Sequence, residues 1–296
     1  VRTRDGLGRI KIGTPRRPTT NDYNCGTWLA TADSQETYRD NTLWQDFAGV
    51  GTAVPNRVED FRVAKLQSFG VTAWRSSHNP PNPELLNAAD RRGLLVWDEN
   101  RQFGDFESWY NDMSDLIKRD RNHPSVVWWS ICNEEGCILS EDNVTLEVGK
   151  RFRAIVKDLD RTRPISSAWS NGIGYKDLAL GHQWAEQVTD VFGLNYDVGR
   201  TYDSFHQQFP KIPFISSESC SCTSDRDYQV NDTEALIGAQ ASWSCIKDCW
   251  QPIATREFVE GSFDWTGFDY RGEETPTKWP STNSHFGVVC ALLYRI

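Results

Sequence analysis

Carboxylic acids stand where short apolar runs end, a place where a buried charge is costly unless the fold uses it. Glu134 and Glu135 directly follow an apolar run in "WWSICNEEGC", and Glu218 closes "PFISSES". Two acids on the ends of different strands can flank one bond. Such a pair suits hydrolysis of a glycosidic linkage, because one protonated carboxyl assists the leaving oxygen while an ionised one attacks the anomeric carbon.

The pairing that the sequence favours is Glu134 with Glu218. A separation of about 5–5.5 Å between their carboxyl groups would indicate a retaining mechanism through a glycosyl-enzyme intermediate. Glu135 is interpreted as a solvated or capping acid. For each acid alone, a salt-bridged or helix-capping carboxylate is the alternative interpretation.

The elements that would position these acids alternate between short apolar runs and amphipathic stretches, which is typical of βα units and a parallel sheet. A first strand is expected near residues 38–44. Seven further strands are predicted in "VTAWRSS", "LLVWDEN", "SVVWWSIC", "PISSAW", "TDVFGLNY", "IPFISSES" and "EFVEGSFDW". Eight strands with intervening helices favour a closed (β/α)8 barrel, the TIM barrel of the α/β class, over an open sheet.

Helices are predicted between these strands from periodicity and from end signals. The segment "NPELLNAADRRG" has Asn82 as N-cap, Pro83 in the first turn and Gly93 at the C-terminal end. Further helices are expected in "VEDFRVAKLQSFG", over 148–159, and along an apolar stripe that runs from Leu236 to Trp250.

Chemistry in such barrels takes place at the C-terminal ends of the strands. No Ser-His-Asp or Cys-His arrangement occurs among the residues at these ends, which favours carboxylate chemistry. Arg75 and Asp98 are interpreted as a framework ion pair whose cation keeps Glu218 ionised. The residues expected at the strand ends are Arg75, His78, Asp98, Glu99, Asn133, Glu134, Asn195, Tyr196, Glu218, Asp264 and Trp265.

Charge and composition exclude several kinds of partner. The 296 residues carry a net charge of −9, which argues against nucleic acid and against an anionic membrane surface. The apolar runs are far shorter than the roughly 20 residues that span a bilayer. Neither the compartment nor the oligomeric state follows from the sequence.

The eight cysteines contain no zinc-type CxxC pair. The cysteines could form disulfide bonds or stay reduced, and small buried hydrophobic side chains are expected in preference to metal ligands. No metal and no cofactor are predicted.

The N-terminal segment, residues 1–37, is polar and interrupted by Gly and Pro, and it is predicted to be a linker or the remnant of an upstream domain. The barrel would then occupy residues 38–296. Because the chain starts at Val1 and its single methionine is Met113, a fragment or a processed product is expected.

Four segments together resemble the catalytic barrel of glycoside hydrolase family 2, and most of all its β-galactosidase branch. They are "RSSHNPPNPELLNAADRRGLLVWDEN", "NHPSVVWWSICNEE", "PFISSES" and "FVEGSFDWTGFDYRGEETPTKWP". The similarity extends from about Asp40 to Val288. It implies a retaining β-glycosidase that acts on terminal β-D-galactosides, hence a carbohydrate substrate. Jelly-roll and immunoglobulin-like domains normally precede this barrel; both are expected to be missing, with residues 1–37 interpreted as a linker or a remnant of the second.

The resemblance also implies a role for each matched residue. Glu134 would be the general acid/base and Glu218 the nucleophile. Asn133 would hold the 2-hydroxyl of the sugar, a contact that strengthens in the transition state. The residues expected to bind substrate are Arg75, His78, Asn133, Tyr196 and Trp265. Taken singly, His78, Tyr196 and Trp265 each have a purely structural alternative.

One segment departs from the β-galactosidase pattern. Where these enzymes usually carry "HQDHAGVG", the chain has "WQDFAGVG", so that Trp44 and Phe47 replace two histidines. Nor do an acid and a histidine follow "WDEN" at the places of the magnesium ligands of some family members. The alternatives are therefore a β-glucuronidase or β-mannosidase of the same family, or a catalytically weak carbohydrate-binding barrel.

Overall fold

Eight parallel strands close into a barrel in the part of the chain that the structure describes. This computed structural model describes residues 54–137, 139, 142–170, 178–219, 221, 245–269 and 287, together with the backbone of 3–4, 10–11 and 29–32. The strands are β1 (Leu29–Ala32), β2 (Val71–Arg75), β3 (Leu95–Glu99), β4 (Val126–Asn133), β5 (Ile165–Ser170), β6 (Val191–Asn195), β7 (Phe214–Ser219) and β8 (Val259–Trp265). Each pairs with the next, and β8 pairs with β1, which confirms the predicted (β/α)8 TIM barrel.

Helices lie between the strands along the chain. They are α1 (Asn56–Gln67), α2 (Pro83–Arg92), α3 (Glu107–Asp120), α4 (Asp142–Leu159), α5 (Leu178–Gln187), α6 (Tyr202–Gln208) and α7 (Cys245–Ala254). A 3₁₀ turn, Glu134–Cys137, follows β4 directly. Residues 3–4 and 10–11 form a short antiparallel pair. No helix in the described ranges is both long and apolar enough to cross a membrane.

The predicted ends of α2 are confirmed. The side chain of Asn82 accepts a hydrogen bond from the backbone N–H of Glu84 at 3.0 Å, and Pro83 is the first helical residue. Gly93 ends the helix with φ +72°, a left-handed conformation that glycine adopts without steric cost. Of the apolar stripe expected from Leu236 to Trp250, the described part is α7, and residues 222–244 lie outside the described ranges.

The first strand of the barrel differs from the prediction. Residues 38–44 lie outside the described ranges, and the strand that pairs with both β8 and β2 is Leu29–Ala32. These four residues therefore belong to the barrel, and their assignment to a linker or remnant was wrong. The sequence "LATA" is too short and too weakly apolar to indicate a strand, so its conformation depends on pairing with its neighbours. For the rest of the chain, the boundary between 1–37 and 38–296 stays a prediction.

Tryptophans fill the core on both sides of the strands. Trp128 packs against a small cluster inside the barrel, while its neighbour Trp129 belongs to the larger cluster between strands and helices. This alternation follows from the two-residue period of a strand. Each buried aromatic side chain stabilises the fold by roughly 1.5–3 kcal/mol. The fully buried indoles, which serve packing, are Trp74, Trp97, Trp129, Trp169 and Trp184.

Candidate active site

The C-terminal ends of six strands meet at one end of the barrel and supply the polar side chains of the candidate site. The residue after β4, Glu134, begins the 3₁₀ turn. The residues at or next to the other strand ends are Arg75 of β2, Glu99 of β3, Asn133 of β4, Asn195 of β6, Glu218 of β7 and Trp265 of β8. Together with His78, these residues form one connected network of hydrogen bonds and ring contacts.

Arg75 is at the centre of this network. Its guanidinium group is fully buried and donates from Nε to Glu99 Oε2 at 2.9 Å. Nη1 donates to Glu218 Oε1 at 2.6 Å and to the carbonyl oxygen of Ser217 at 3.1 Å, and Nη2 donates to Asn133 Oδ1 at 2.8 Å. Burial alone would lower the pKa of Arg75, but Glu99 and Glu218 raise it. Arg75 is therefore a permanent cation against the Glu218 carboxylate.

The partner of Arg75 is Glu99, so the predicted ion pair with Asp98 was wrong. Ala73 and Trp97 both pack inside the barrel, and Arg75 and Glu99 each follow one of them by two residues, on the same face of their strands. The Asp98 side chain leaves β3 on the opposite face. Burial, and then the charge of nearby Asp120, raise the pKa of Asp98 well above its usual value.

Glu99 holds both Arg75 and His78. His78 Nδ1 lies 2.7 Å from Glu99 Oε1, and Ser130 Oγ donates to Oε2 at 2.9 Å. Burial alone would raise the pKa of Glu99, but Arg75 and His78 outweigh it and hold the pKa below its usual value. Because the carboxylate is ionised, Nδ1 of His78 carries the proton. The sequence placed Glu99 at a strand end without giving it a role.

His78 faces Glu218 and stacks on Trp265. Its Nε2 lies 3.8 Å from Glu218 Oε1. The two ring centroids of His78 and Trp265 are 5.5 Å apart with an interplanar angle of 18°. The stacked rings form an aromatic wall beside the buried Glu218 carboxylate.

Glu134 is held by a neutral amide. Asn195 donates from Nδ2 to Glu134 Oε1 at 3.0 Å and to Asn133 Oδ1 at 3.1 Å. The orientation of this amide is fixed by Ser217 Oγ, which donates to Asn195 Oδ1 at 2.5 Å. Glu134 is partly buried, whereas Glu218 is almost fully buried. Ser217 was not among the predicted site residues, and Asn195 had been placed at a strand end without a role.

Tyr196 connects β6 to Glu218. Its backbone N–H donates to the carbonyl oxygen of Glu218 at 2.7 Å, and its hydroxyl accepts from Ser221 Oγ at 3.2 Å. Burial and then the charge of Glu218, with a smaller contribution from Glu134, raise the pKa of the Tyr196 hydroxyl. The phenol is thus neutral and lies in the field of both acids.

The structure brings the seven predicted site residues to the same end of the barrel. They are Glu134, Glu218, Arg75, His78, Asn133, Tyr196 and Trp265. Their catalytic and binding roles stay predictions. Trp44 and Phe47 lie outside the described ranges. Within those ranges, no group of three or more His, Cys, Asp and Glu side chains is arranged to hold a metal ion, and the prediction of a metal-free site is left as it stands.

Two cysteines next to the candidate acid are not free thiols. Cys132 and Cys137 form a disulfide bond, and Cys249 of α7 is disulfide-bonded as well. Of the two states that the sequence left open, these three cysteines have the disulfide-bonded one. The sequence could not have distinguished the two states, because a disulfide depends on the distance between two Cα atoms in the fold.

Comparison with known proteins decides the family. The sequence model described as "Glycosyl hydrolases family 2, TIM barrel domain" matches residues 43–110 and 104–225, which is more than half of the chain. The chain belongs to glycosyl hydrolase family 2. The predicted family is thereby confirmed, and the matched residues include all of the predicted site residues except Trp265.

Relatives within family 2 differ in their sugars. The chain is 30% identical over 310 residues to the β-galactosidase BoGH2A of Bacteroides ovatus, covering 83% of the chain and 36% of that protein. It is 26% identical over 254 residues to human β-glucuronidase, a match that covers 79% of the chain and 38% of that protein. The solved structure of a family 2 member from Bacteroides cellulosilyticus superposes with a TM-score of 0.69 at 26% identity. The superposition covers 91% of this chain and 32% of that protein. The chain thus spans about a third of the length of these relatives.

Proposed function

We propose that this chain is the catalytic barrel of a retaining β-glycosidase that hydrolyses terminal β-D-galactosides. The observation that carries the proposal is the contrast between its two acids. Glu218 is buried against the cation of Arg75, and Glu134 accepts from the neutral amide of Asn195. Two carboxyl groups in such different environments can take the ionised and the protonated role at the same pH.

In the first step, the Glu218 carboxylate attacks the anomeric carbon while the glycosidic C–O bond breaks. Glu134 gives its proton to the departing oxygen, and the sugar is left in an ester bond to Glu218. Arg75 supports this step because its Nη1 donates to Glu218 Oε1 at 2.6 Å and holds the carboxyl group in place.

In the second step, Glu134, now a carboxylate, takes a proton from a water molecule that attacks the same carbon. The ester bond to Glu218 breaks, and the sugar is released with its original anomeric configuration. The two displacements each invert that carbon, so the product is the β-anomer.

The hydrogen bonds of Asn133 support its contact with the sugar's 2-hydroxyl. Its Oδ1 accepts from both Arg75 Nη2 and Asn195 Nδ2, and a guanidinium group can only donate. The side-chain amide must therefore direct Nδ2 away from these partners. We assign Nδ2 as the donor to the 2-hydroxyl oxygen, the contact that strengthens in the transition state.

Galactoside is preferred over glucuronide on two grounds. The relative with 30% identity is a β-galactosidase, whereas the β-glucuronidases are less similar. A glucuronide carries a carboxylate that requires a cation, and Arg75 is already bound by Glu99 and Glu218. A uronate would therefore need a cation from outside this network.

A panel of p-nitrophenyl β-glycosides, used with the full natural protein, tests the proposal. We expect the highest kcat/KM for the β-galactoside among the galactoside, glucuronide and mannoside, and the β-anomer as first product in proton NMR. Preference for the glucuronide would overturn the sugar but not the mechanism. The α-anomer as first product would overturn the retaining mechanism, and saccharide binding without turnover would favour the carbohydrate-binding alternative.

A further inference from the structure

A disulfide bond encloses the candidate acid/base. Cys132 is in β4 and Cys137 ends the 3₁₀ turn, with Asn133 and Glu134 between them. The two Cα atoms are 5.1 Å apart, and both cysteine side chains are buried. The bond therefore joins the last part of the strand to the far end of the turn that presents Glu134.

The backbone of Glu134 has a conformation that needs such support. Its φ is +45°, in the left-handed region, which costs a residue other than glycine roughly 1 kcal/mol or more. A residue other than glycine keeps this backbone conformation only where the surrounding structure holds it. A covalent link across the turn limits the conformations to which Glu134 could relax.

The disulfide also contacts the neighbouring strand. Cys137 Sγ lies 3.8 Å from the carbonyl oxygen of Ala168 in β5, and Ala168 is the residue that Asn133 faces in the strand pairing. The turn is thus held at both of its ends against the same part of β5. This arrangement directs the Glu134 side chain to Asn195 Nδ2.

Glu218 is held by other elements. It belongs to β7, and its described hydrogen-bond partner Arg75 comes from β2. Opening the link between Cys132 and Cys137 therefore removes a constraint on the turn of Glu134 directly, whereas it reaches Glu218 only through the Arg75–Asn133 hydrogen bond, and the bond from Arg75 to Glu99 remains.

We propose that the Cys132–Cys137 disulfide is a positioning element for the general acid/base, because it holds the turn in which Glu134 reaches Asn195. This inference rests on the proposed role of Glu134. Its consequence is selective: loss of the disulfide impairs protonation of the leaving group more than nucleophilic attack by Glu218.

The test is the Cys132→Ala, Cys137→Ala double variant of the full natural protein, assayed with aryl β-galactosides of increasing phenol pKa. We expect kcat/KM to fall by about tenfold or more for phenyl β-galactoside and by less than about twofold for the 2,4-dinitrophenyl compound, which needs little protonation. An equal fall across the series, or no fall, would overturn the proposal.

A double-mutant cycle distinguishes positioning from loss of fold. In a Glu134→Ala background, removal of the disulfide should leave the dependence on the leaving group unchanged, because the group through which it acts is gone. A further steepening of this dependence in that background would contradict the proposal. If the alanine variant does not melt cooperatively, Cys132→Ser, Cys137→Ser replaces it, since serine is closer in size to cysteine and its hydroxyl at 137 can donate to the Ala168 carbonyl.

Cys249→Ala is the matched control, because it removes a disulfide-bonded cysteine in α7. It should not alter the leaving-group dependence, and the same steepening in this variant would contradict a specific role for the first disulfide. Failure of the proposed function gives a different result: the unaltered protein would then hydrolyse none of the aryl galactosides.

Discussion

Glu99 shows how a single buried carboxylate can organise a site without reacting. It accepts hydrogen bonds from Arg75 and Ser130 and contacts His78 Nδ1. These contacts fix the cation that faces Glu218 and the tautomer of the histidine. We therefore infer that Glu99 is a positioning residue.

Glu99→Gln should destabilise the fold by about 2 kcal/mol at neutral pH, because charge-assisted hydrogen bonds are lost inside the barrel. The pKa of Glu99 is lowered from 4.5 in the fold, so this advantage of the wild type is full above about pH 4.5 and shrinks as the pH falls through the lowered pKa. Chemical denaturation of the wild type and Glu99→Gln over a series of pH values measures this difference in stability. Exposed Glu147, which pairs with Lys150, is the control: Glu147→Gln should change stability by less than about 0.5 kcal/mol.

Asp264 of β8 is predicted to change the pH dependence of stability in the opposite direction to Glu99. Burial raises its pKa from 3.8 to about 7, even though Ser219 Oγ donates to Oδ1 at 2.8 Å. Its Oδ2 has no hydrogen-bond partner in the described part of the chain. The native state therefore binds a proton more tightly than the unfolded state, and stability falls as the pH rises from about 4 to about 7.

Asp264→Asn should remove this loss. Relative to the wild type, the variant should gain up to about 4 kcal/mol of unfolding free energy between about pH 4 and about pH 7. Asp203→Asn is the control, because the pKa of Asp203 is lowered by Arg256 and its effect lies at acid pH. A difference between the Asp264 variant and the wild type that is constant with pH would refute the prediction.

Single-residue features were predictable to different degrees. The seven predicted site residues lie at or just after strand ends, as expected from the sequence, and their roles stay predictions. The choice between the adjacent acids Asp98 and Glu99 was wrong, because it depends on which residues of β2 and β3 face the barrel interior. The Ser217–Asn195 hydrogen bond and the disulfide depend on contacts between elements, for which the sequence gives no local signal.

At the scale of elements, the strands differ in how strongly the sequence indicates them. Runs such as 126–131 and 214–215 contain the large apolar side chains that signal a buried strand, and their positions were confirmed. The strand Leu29–Ala32 was not predicted, because three of its four residues are small and give no apolar signal of a buried strand. Its conformation is a property of the barrel and not of its own residues.

Close packing of β6 against its neighbours should make Gly193 intolerant of a side chain. A Cβ at this position would clash with the carbonyl oxygen of Ser167 and would lie 2.8 Å from Ser217 Oγ. Gly193→Ala should destabilise the barrel by about 1–3 kcal/mol and lower kcat, since Ser217 orients Asn195.

The matched substitution Gly181→Ala lies in α5, where the nearest atom to the new Cβ is a Trp169 carbon at 3.9 Å. It should be neutral or stabilise by about 0.5–1 kcal/mol, because alanine is the better helix former. Thermal melts and kcat of both variants test the pair. Equal stability of the two variants would contradict the packing argument.

At the scale of the whole molecule, this chain contains the barrel and its candidate site. The relatives that it matches are much longer proteins. The chain spans 36% of the Bacteroides ovatus β-galactosidase and 38% of human β-glucuronidase. Because further parts of such a protein can shape the cleft, functional measurements belong on the full natural protein. The family followed from the sequence, whereas the sugar depends on contacts with the substrate.

The most direct test of the account is mass spectrometry of the full protein after incubation with 2-deoxy-2-fluoro-β-D-galactosyl fluoride, which accumulates the covalent intermediate of a retaining enzyme. We predict one adduct per chain, on the peptide that carries Glu218, and none in Glu218→Ala. Turnover of β-galactosides without any adduct, or an adduct on a different residue, would contradict the assignment of Glu218 as the nucleophile of a retaining β-galactosidase.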